Sequence, residues 1–116
     1  MKLIKILIYQ LLIETIDKLD AITPTPQDHD AATHAPMLEK NDGNIDWNQS
    51  ADAICNRIRG VNPNPGARCT FRDNWLKIWV AEPVDGAGEP GTVLIAKKRV
   101  VIAAKTGAVL LKEVQL

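Results

Sequence analysis

The chain has 116 residues, 46% of them hydrophobic, which is enough for one modest core and too little for two full domains. The formal net charge is zero, yet residues 1–56 carry four basic and nine acidic side chains, and residues 57–116 carry ten basic and five acidic. This asymmetry places any affinity for polyanions in the second half, while two cysteines, Cys55 and Cys69, exclude a disulfide scaffold and point to a reduced, cytoplasmic chain with two small buried thiols.

The opening stretch, MKLIKILIYQLLI, is basic and then apolar, as a leader would be. Lys5 and Gln10 interrupt it, Glu14, Asp17 and Asp20 follow it, and no A-x-A-like cleavage site appears. It is also short of the roughly 18 apolar residues that a membrane span requires, so neither export nor membrane insertion is expected. Its periodicity is helical: Ile4, Ile8, Leu11, Leu12, Ile16, Leu19 and Ile22 share a face, opposite Gln10, Glu14 and Asp17. That stripe calls for burial. The β-branched LIKILIY is also compatible with a strand, so the helix is firm only from Gln10 to Asp20.

Residues 21–36, AITPTPQDHDAATHAP, hold three prolines and two histidines and read as an extended connector. His29 and His34, with flanking aspartates, invite a metal site. Five residues apart in a proline-flanked segment they cannot share a helix face, and the convergent set of ligands that a metal needs is missing, so no metal is expected.

After GNIDW, a second helix is expected from Ser50 to Gly60. Ser50 caps it, Asp52 lies in its first turn, and Ala51, Ile54, Cys55 and Ile58 form its buried stripe. Arg57 and Arg59 suit the negative end of its dipole, and Gly60 suits a left-handed stop. In NPNPG, Pro63 and Pro65 lack amide donors and bias Asn62 and Asn64 to extended backbone, which makes a corner from helix to sheet.

Beyond it the pattern changes to short strands near 67–71, 75–82, 91–96, 99–103 and 108–114, separated by RDN, DGAGEP, KK and KTG. Glu89-Pro90-Gly91-Thr92 suits a type II turn. Five strands in a meander suggest a small closed or nearly closed barrel. In the second strand Leu76, Ile78 and Val80 are expected to face the core, leaving Trp75, Lys77 and Trp79 on the other side. Two indoles around a lysine are the kind of surface on which single-stranded nucleic acid stacks; packing of the indoles under the helix or connector is the structural alternative.

Several blocks then resemble the second half of the methionyl-tRNA formyltransferase family, in order and at similar spacing: TPTPQDHDAATHAPMLEKNDGNIDW, SADAICNRIRGVNPNPGA, LKIWVAEPVDGAGEPGTVL and LLKEVQL. The resemblance covers about residues 10–116 and implies an α+β chain. Residues 1–20 would be a helix like the end of the catalytic domain, 21–36 the interdomain linker, and 37–116 a C-terminal OB-like β-barrel domain, truncated at its end. The matching structural residues are Asp46, Trp47, Ile58, Arg59, Gly60, Asn62, Pro63, Pro65, Gly66 and Trp79.

Such enzymes pass a formyl group from 10-formyltetrahydrofolate to initiator methionyl-tRNA. The resemblance therefore implies initiator tRNA as the partner, with a separate catalytic formyltransferase domain supplying the chemistry. Neither the family's S-L-L-P motif nor its Asn, His and Asp constellation occurs here, so no cofactor site and no catalysis by this chain alone are expected. Two departures weaken the inherited affinity: Asn64 stands where the family has tryptophan, and the lysine-rich segment after L-Q is missing. Related folate enzymes, the hydrolase domain of formyltetrahydrofolate dehydrogenase and sugar-nucleotide formyltransferases, share I-D-W and the I-R-G helix.

By position and charge, Lys40, Arg59, Arg68, Lys77, Lys97, Lys98 and Arg99 are the candidate phosphate contacts, and for Arg59 a structural role at the helix end competes. An interaction module is the second expectation. The face Ile8, Leu12, Ile16 and Leu19 would pair two copies through the first helix if it meets no other partner.

Overall fold

The computed structural model describes residues 2–116, which form two units that divide between Ala35 and Pro36. In the first, α1 spans Lys2–Asp17 and is followed by 3-10 turns at Leu19–Ala21 and His29–Ala31, the second capped by the Asp28 carboxylate. The apolar run is helical from its start, so the strand alternative for LIKILIY does not apply. Nor is there a single apolar stripe: Leu3, Ile6, Leu7 and Ile13 extend the apolar surface round the helix, and no residue of α1 is buried. No helix among the described residues is long and apolar enough to cross a membrane.

The second unit is α+β. It comprises a 3-10 turn at Lys40–Gly43, α2 (Ala51–Val61), and strands β1 (Ala67–Phe71), β2 (Asn74–Val84), β3 (Val93–Ala96), β4 (Val100–Ala103) and β5 (Ala108–Gln115). All pairings are antiparallel, in the order β1-β2-β5-β4-β3. Among the described residues β1 and β3 are the two edges, so the OB-like sheet is open rather than closed. It is also not a simple meander. Strand β2 pairs with β5, and residues 85–92 carry the chain to the far edge before β3, β4 and β5 follow in order.

Helix α2 begins as its sequence dictates, with Ser50 Oγ accepting from the Ala53 amide at 3.2 Å. Ala51, Ile54, Cys55, Ile58 and Val61 are buried against the sheet, chiefly on β2. Ile54, Ile58, Ile78 and Val109 are the largest fully enclosed side chains besides Cys55, and each contributes about 1.5–3 kcal/mol of hydrophobic stabilisation. Both thiols are buried, and burial pushes both above the ordinary cysteine value.

Gly60 does not stop the helix. It lies inside α2, which runs to Val61 and ends because Asn62, preceding a proline, is extended (φ −85°, ψ 142°). The left-handed glycine comes later, at Gly66 (φ 90°), whose amide closes the corner on the Val61 carbonyl at 2.9 Å. The turn at Glu89–Thr92 has the expected form, with Gly91 at φ 87° and the Thr92 amide 3.0 Å from the Glu89 carbonyl.

The largest departure within a strand is at Val80. The β2–β5 register shifts between Ile78 and Val80 and again between Val80 and Ala81, so Ala81 takes the buried position and Val80 is exposed. A bulge inserts a residue and reverses the alternation beyond it, which strict period-two reading cannot register.

Candidate nucleic-acid interface

The hairpin β1–β2 turns at Arg72 and Asp73, both at positive φ, 48° and 64°. Two left-handed residues are what a two-residue hairpin turn needs, and they set every pair behind them, including Thr70 opposite Trp75 and Arg68 opposite Lys77. Arg68 is thus placed by sheet register beside the lysine between the two indoles. The pairing was readable from RDN once its first two residues are taken as the turn.

Each cation is stacked. The Arg68 guanidinium lies 4.3 Å from the centre of the Trp75 ring, and its Nε donates to Asn44 Oδ1 at 2.8 Å. Lys77 Nζ lies 4.1 Å from the Trp79 ring centre, and the Trp79 indole N–H donates to Gln115 Oε1 at 3.2 Å. Trp75 is 54% exposed; Trp79 is half-buried. The indoles are therefore partly occupied by their neighbouring cations, neither bare stacking plates nor core residues.

The other candidates separate into two sets. Lys77 pairs with Gln115, and Leu111 further back along β5 pairs with Val100, so the β3–β4 turn bearing Lys97, Lys98 and Arg99 lies at the same end of the sheet as Arg68 and Lys77. Lys40 and Arg59 lie off the sheet. Lys40 opens the 3-10 turn closed by the Glu39–Asp42 capping box, and Arg59 hydrogen-bonds Asn56 on its own helix. Arg57 donates to the Asp42 carbonyl at 2.9 Å and pins that turn to α2.

The motif residues hold the frame of this unit. Asp46 accepts from the Asn48 amide at 3.0 Å and from the Gln49 and Asn48 side chains, which hold its carboxyl below the ordinary aspartate value. Trp47 packs half-buried on the core, its carbonyl accepting from the Lys105 amide. Ile58 is enclosed, whereas a side chain at Gly60 would meet nothing within 4 Å. Asn62 is the knot of the corner: its Nδ2 donates to the Ile78 and Trp79 carbonyls at 2.9 and 3.3 Å, and its Oδ1 accepts from the Ala67 amide at 3.1 Å. Pro63 is exposed and Pro65 half-buried on either side of Asn64. Gly66 sits at φ 90°, where any side chain is strained, and Lys77 passes close over it, a Cβ there standing 2.9 Å from the flexible Lys77 Cε.

Two openings differ in character. The larger, about 770 Å³, lies between residues 38–49 and α2 and includes Ile45, Ile54 and Arg57; it holds none of the candidate phosphate contacts. The cleft of about 410 Å³ between the corner and β1–β2 is lined by Pro65, Gly66, Arg68, Trp75, Lys77, Gln115 and Leu116, and so contains the stacked pair.

An α+β unit with an open five-stranded sheet, a helix ending in a proline corner and a cationic sheet end defines the class that the comparisons identify. The model of the formyl transferase C-terminal domain matches residues 37–116, and the chain belongs to that family. Methionyl-tRNA formyltransferase of Solibacter usitatus is 48% identical over 109 residues, covering 90% of this chain and 35% of the relative; that of Citrifermentans bemidjiense is 38% identical over 110 residues, covering 92% and 35%. The chain thus spans about a third of these curated relatives. Among solved structures, HypX from Aquifex aeolicus in complex with tetrahydrofolic acid shares the fold, with a TM-score of 0.65 at 22% identity over 92% of this chain and 20% of that one.

Proposed function

We propose that this chain is the tRNA-holding C-terminal portion of a methionyl-tRNA formyltransferase and carries no formyl transfer by itself. One observation carries the reading: sheet register sets Arg68, Lys77, Lys97, Lys98 and Arg99 toward one end of the sheet, in a chain whose formal net charge is zero. Cations on a rigid sheet displace counterions from a polyphosphate backbone and bind with little sequence preference. The family reaction, from 10-formyltetrahydrofolate to initiator methionyl-tRNA in the cytoplasm, then needs a catalytic domain in addition to this one. Lys40 and Arg59 are the weaker members of the contact set.

Replacing Lys97, Lys98 and Arg99 together by alanine tests the reading at a turn outside the core. The expected result is weaker binding of initiator tRNA and a slope of log affinity against log salt shallower by about 2–3, the loss of three phosphate contacts. Unchanged affinity and slope would remove the turn from the interface.

A second reading rests on α1, where Ile8, Leu12 and Ile16 are 59, 53 and 61% exposed. Apolar surface on this scale associates, and pairing of two copies through α1 would give a mass in light scattering that rises with concentration. A concentration-independent monomer contradicts it.

A further inference from the structure

Arg68 and Lys77 pair directly across β1–β2, an arrangement of like charges that weakens a sheet, and each head group lies over a different indole, Arg68 over Trp75 and Lys77 over Trp79. No acidic side chain among the described residues forms an ion pair with either of them. Among the described residues the one ion pair is Lys112 with Glu82, and neither the terminal nitrogens of Arg68 nor Lys77 Nζ makes a hydrogen bond. Both cations are nevertheless held in place. Arg68 is fixed by Asn44 and the Trp75 ring, and Lys77 lies over the Trp79 ring. Preorganised, unneutralised donors on one side of a cleft are suited to an anion, and the cleft volume, about 410 Å³, lies in the range of small-ligand sites. The same cleft carries Trp75, whose ring is covered in part by the Arg68 guanidinium yet stays more than half exposed, and the surface left open can stack a nucleobase whatever its identity.

We propose that the cleft between the proline corner and β1–β2 binds one unpaired nucleotide of an RNA strand, with its phosphate between Arg68 and Lys77 and its base on Trp75. This deepens the tRNA reading and rests on it for the identity of the strand. It differs from backbone tracking by the charged turn because it requires a base free of its stack, so single-stranded RNA should outcompete a duplex of equal charge.

The test is a fluorescence titration of the full chain with a single-stranded octaribonucleotide, a blunt RNA duplex carrying the same number of phosphates, and inorganic phosphate. Trp75→Ala, Trp75→Phe and the double variant Arg68→Gln/Lys77→Gln run in parallel, with circular dichroism to check folding. The expected result is tighter binding of the strand than of the duplex and a loss of about tenfold or more in Trp75→Ala, largely restored in Trp75→Phe. The double variant should show a shallower salt slope. Equal binding of strand and duplex, an unaffected Trp75→Ala, or displacement of the strand by inorganic phosphate regardless of residue 75 would overturn the proposal. Initiator tRNA titrated against the same proteins separates the two readings: tRNA binding indifferent to residues 68, 75 and 77 removes the cleft alone, whereas Trp75-dependent octamer binding with no tRNA binding removes the tRNA reading alone.

Discussion

Gly43→Ala is expected to lower the melting temperature of this chain by roughly 5–20 °C, a large effect for one added methyl group. Gly43 is buried where the 3-10 turn meets the proline corner, and a Cβ there would stand 2.0 Å from the Gly66 carbonyl oxygen and 3.1 Å from its carbon. Both obstacles are backbone, so no rotamer change relieves them. The turn must move off the corner, and overpacking of this kind costs about 1–3 kcal/mol. The displacement reaches the interface, because the next residue, Asn44, holds the Arg68 guanidinium and pairs as a bridge with Arg68. Thermal unfolding by circular dichroism checks this, and a shift under about 2 °C would mean that the contact is not as tight as described.

Asn62→Ala is expected to destabilise the chain by about 2–4 kcal/mol, through lost polar satisfaction rather than lost packing. One side chain serves the Ala67 amide at the start of β1 and two carbonyls on β2, and Ala67 is fully buried, so no water replaces the acceptor. Asn62→Asp should not rescue it. The carboxylate still accepts from Ala67 but turns an oxygen toward the Ile78 carbonyl, where an amide nitrogen had donated. Urea unfolding of both variants decides: equal stability of the wild type and Asn62→Asp would show that the Ala67 bond alone matters.

Much of the fold could be read from residue pattern. Ser50 announced the start of α2, period three and four its buried face, and Pro90-Gly91 the turn before β3, because each of these is a local preference with a local cause. What escaped was decided at a distance. The bulge at Val80 depends on how β2 meets β5, more than thirty residues further along the chain, and nothing in LKIWVAEP marks it. Glycine usually ends helices, which favours Gly60 as the end of α2, but the Asn62-Pro63 pair two residues on is the stronger signal. In the candidate interface, charge and the alternating tryptophans were visible at once. The pairing of Arg68 with Lys77 follows from the two-residue turn, but the stacking on Trp75 and the parts played by Asn44 and Gln115 required the assembled sheet.

If the cationic end of this sheet holds tRNA, a titration of the chain with folded initiator tRNA at about 50 and 200 mM salt reads it directly. Several phosphate contacts predict an affinity that falls by an order of magnitude or more between the two. Absence of binding at the lower salt, or an affinity indifferent to salt, would contradict it.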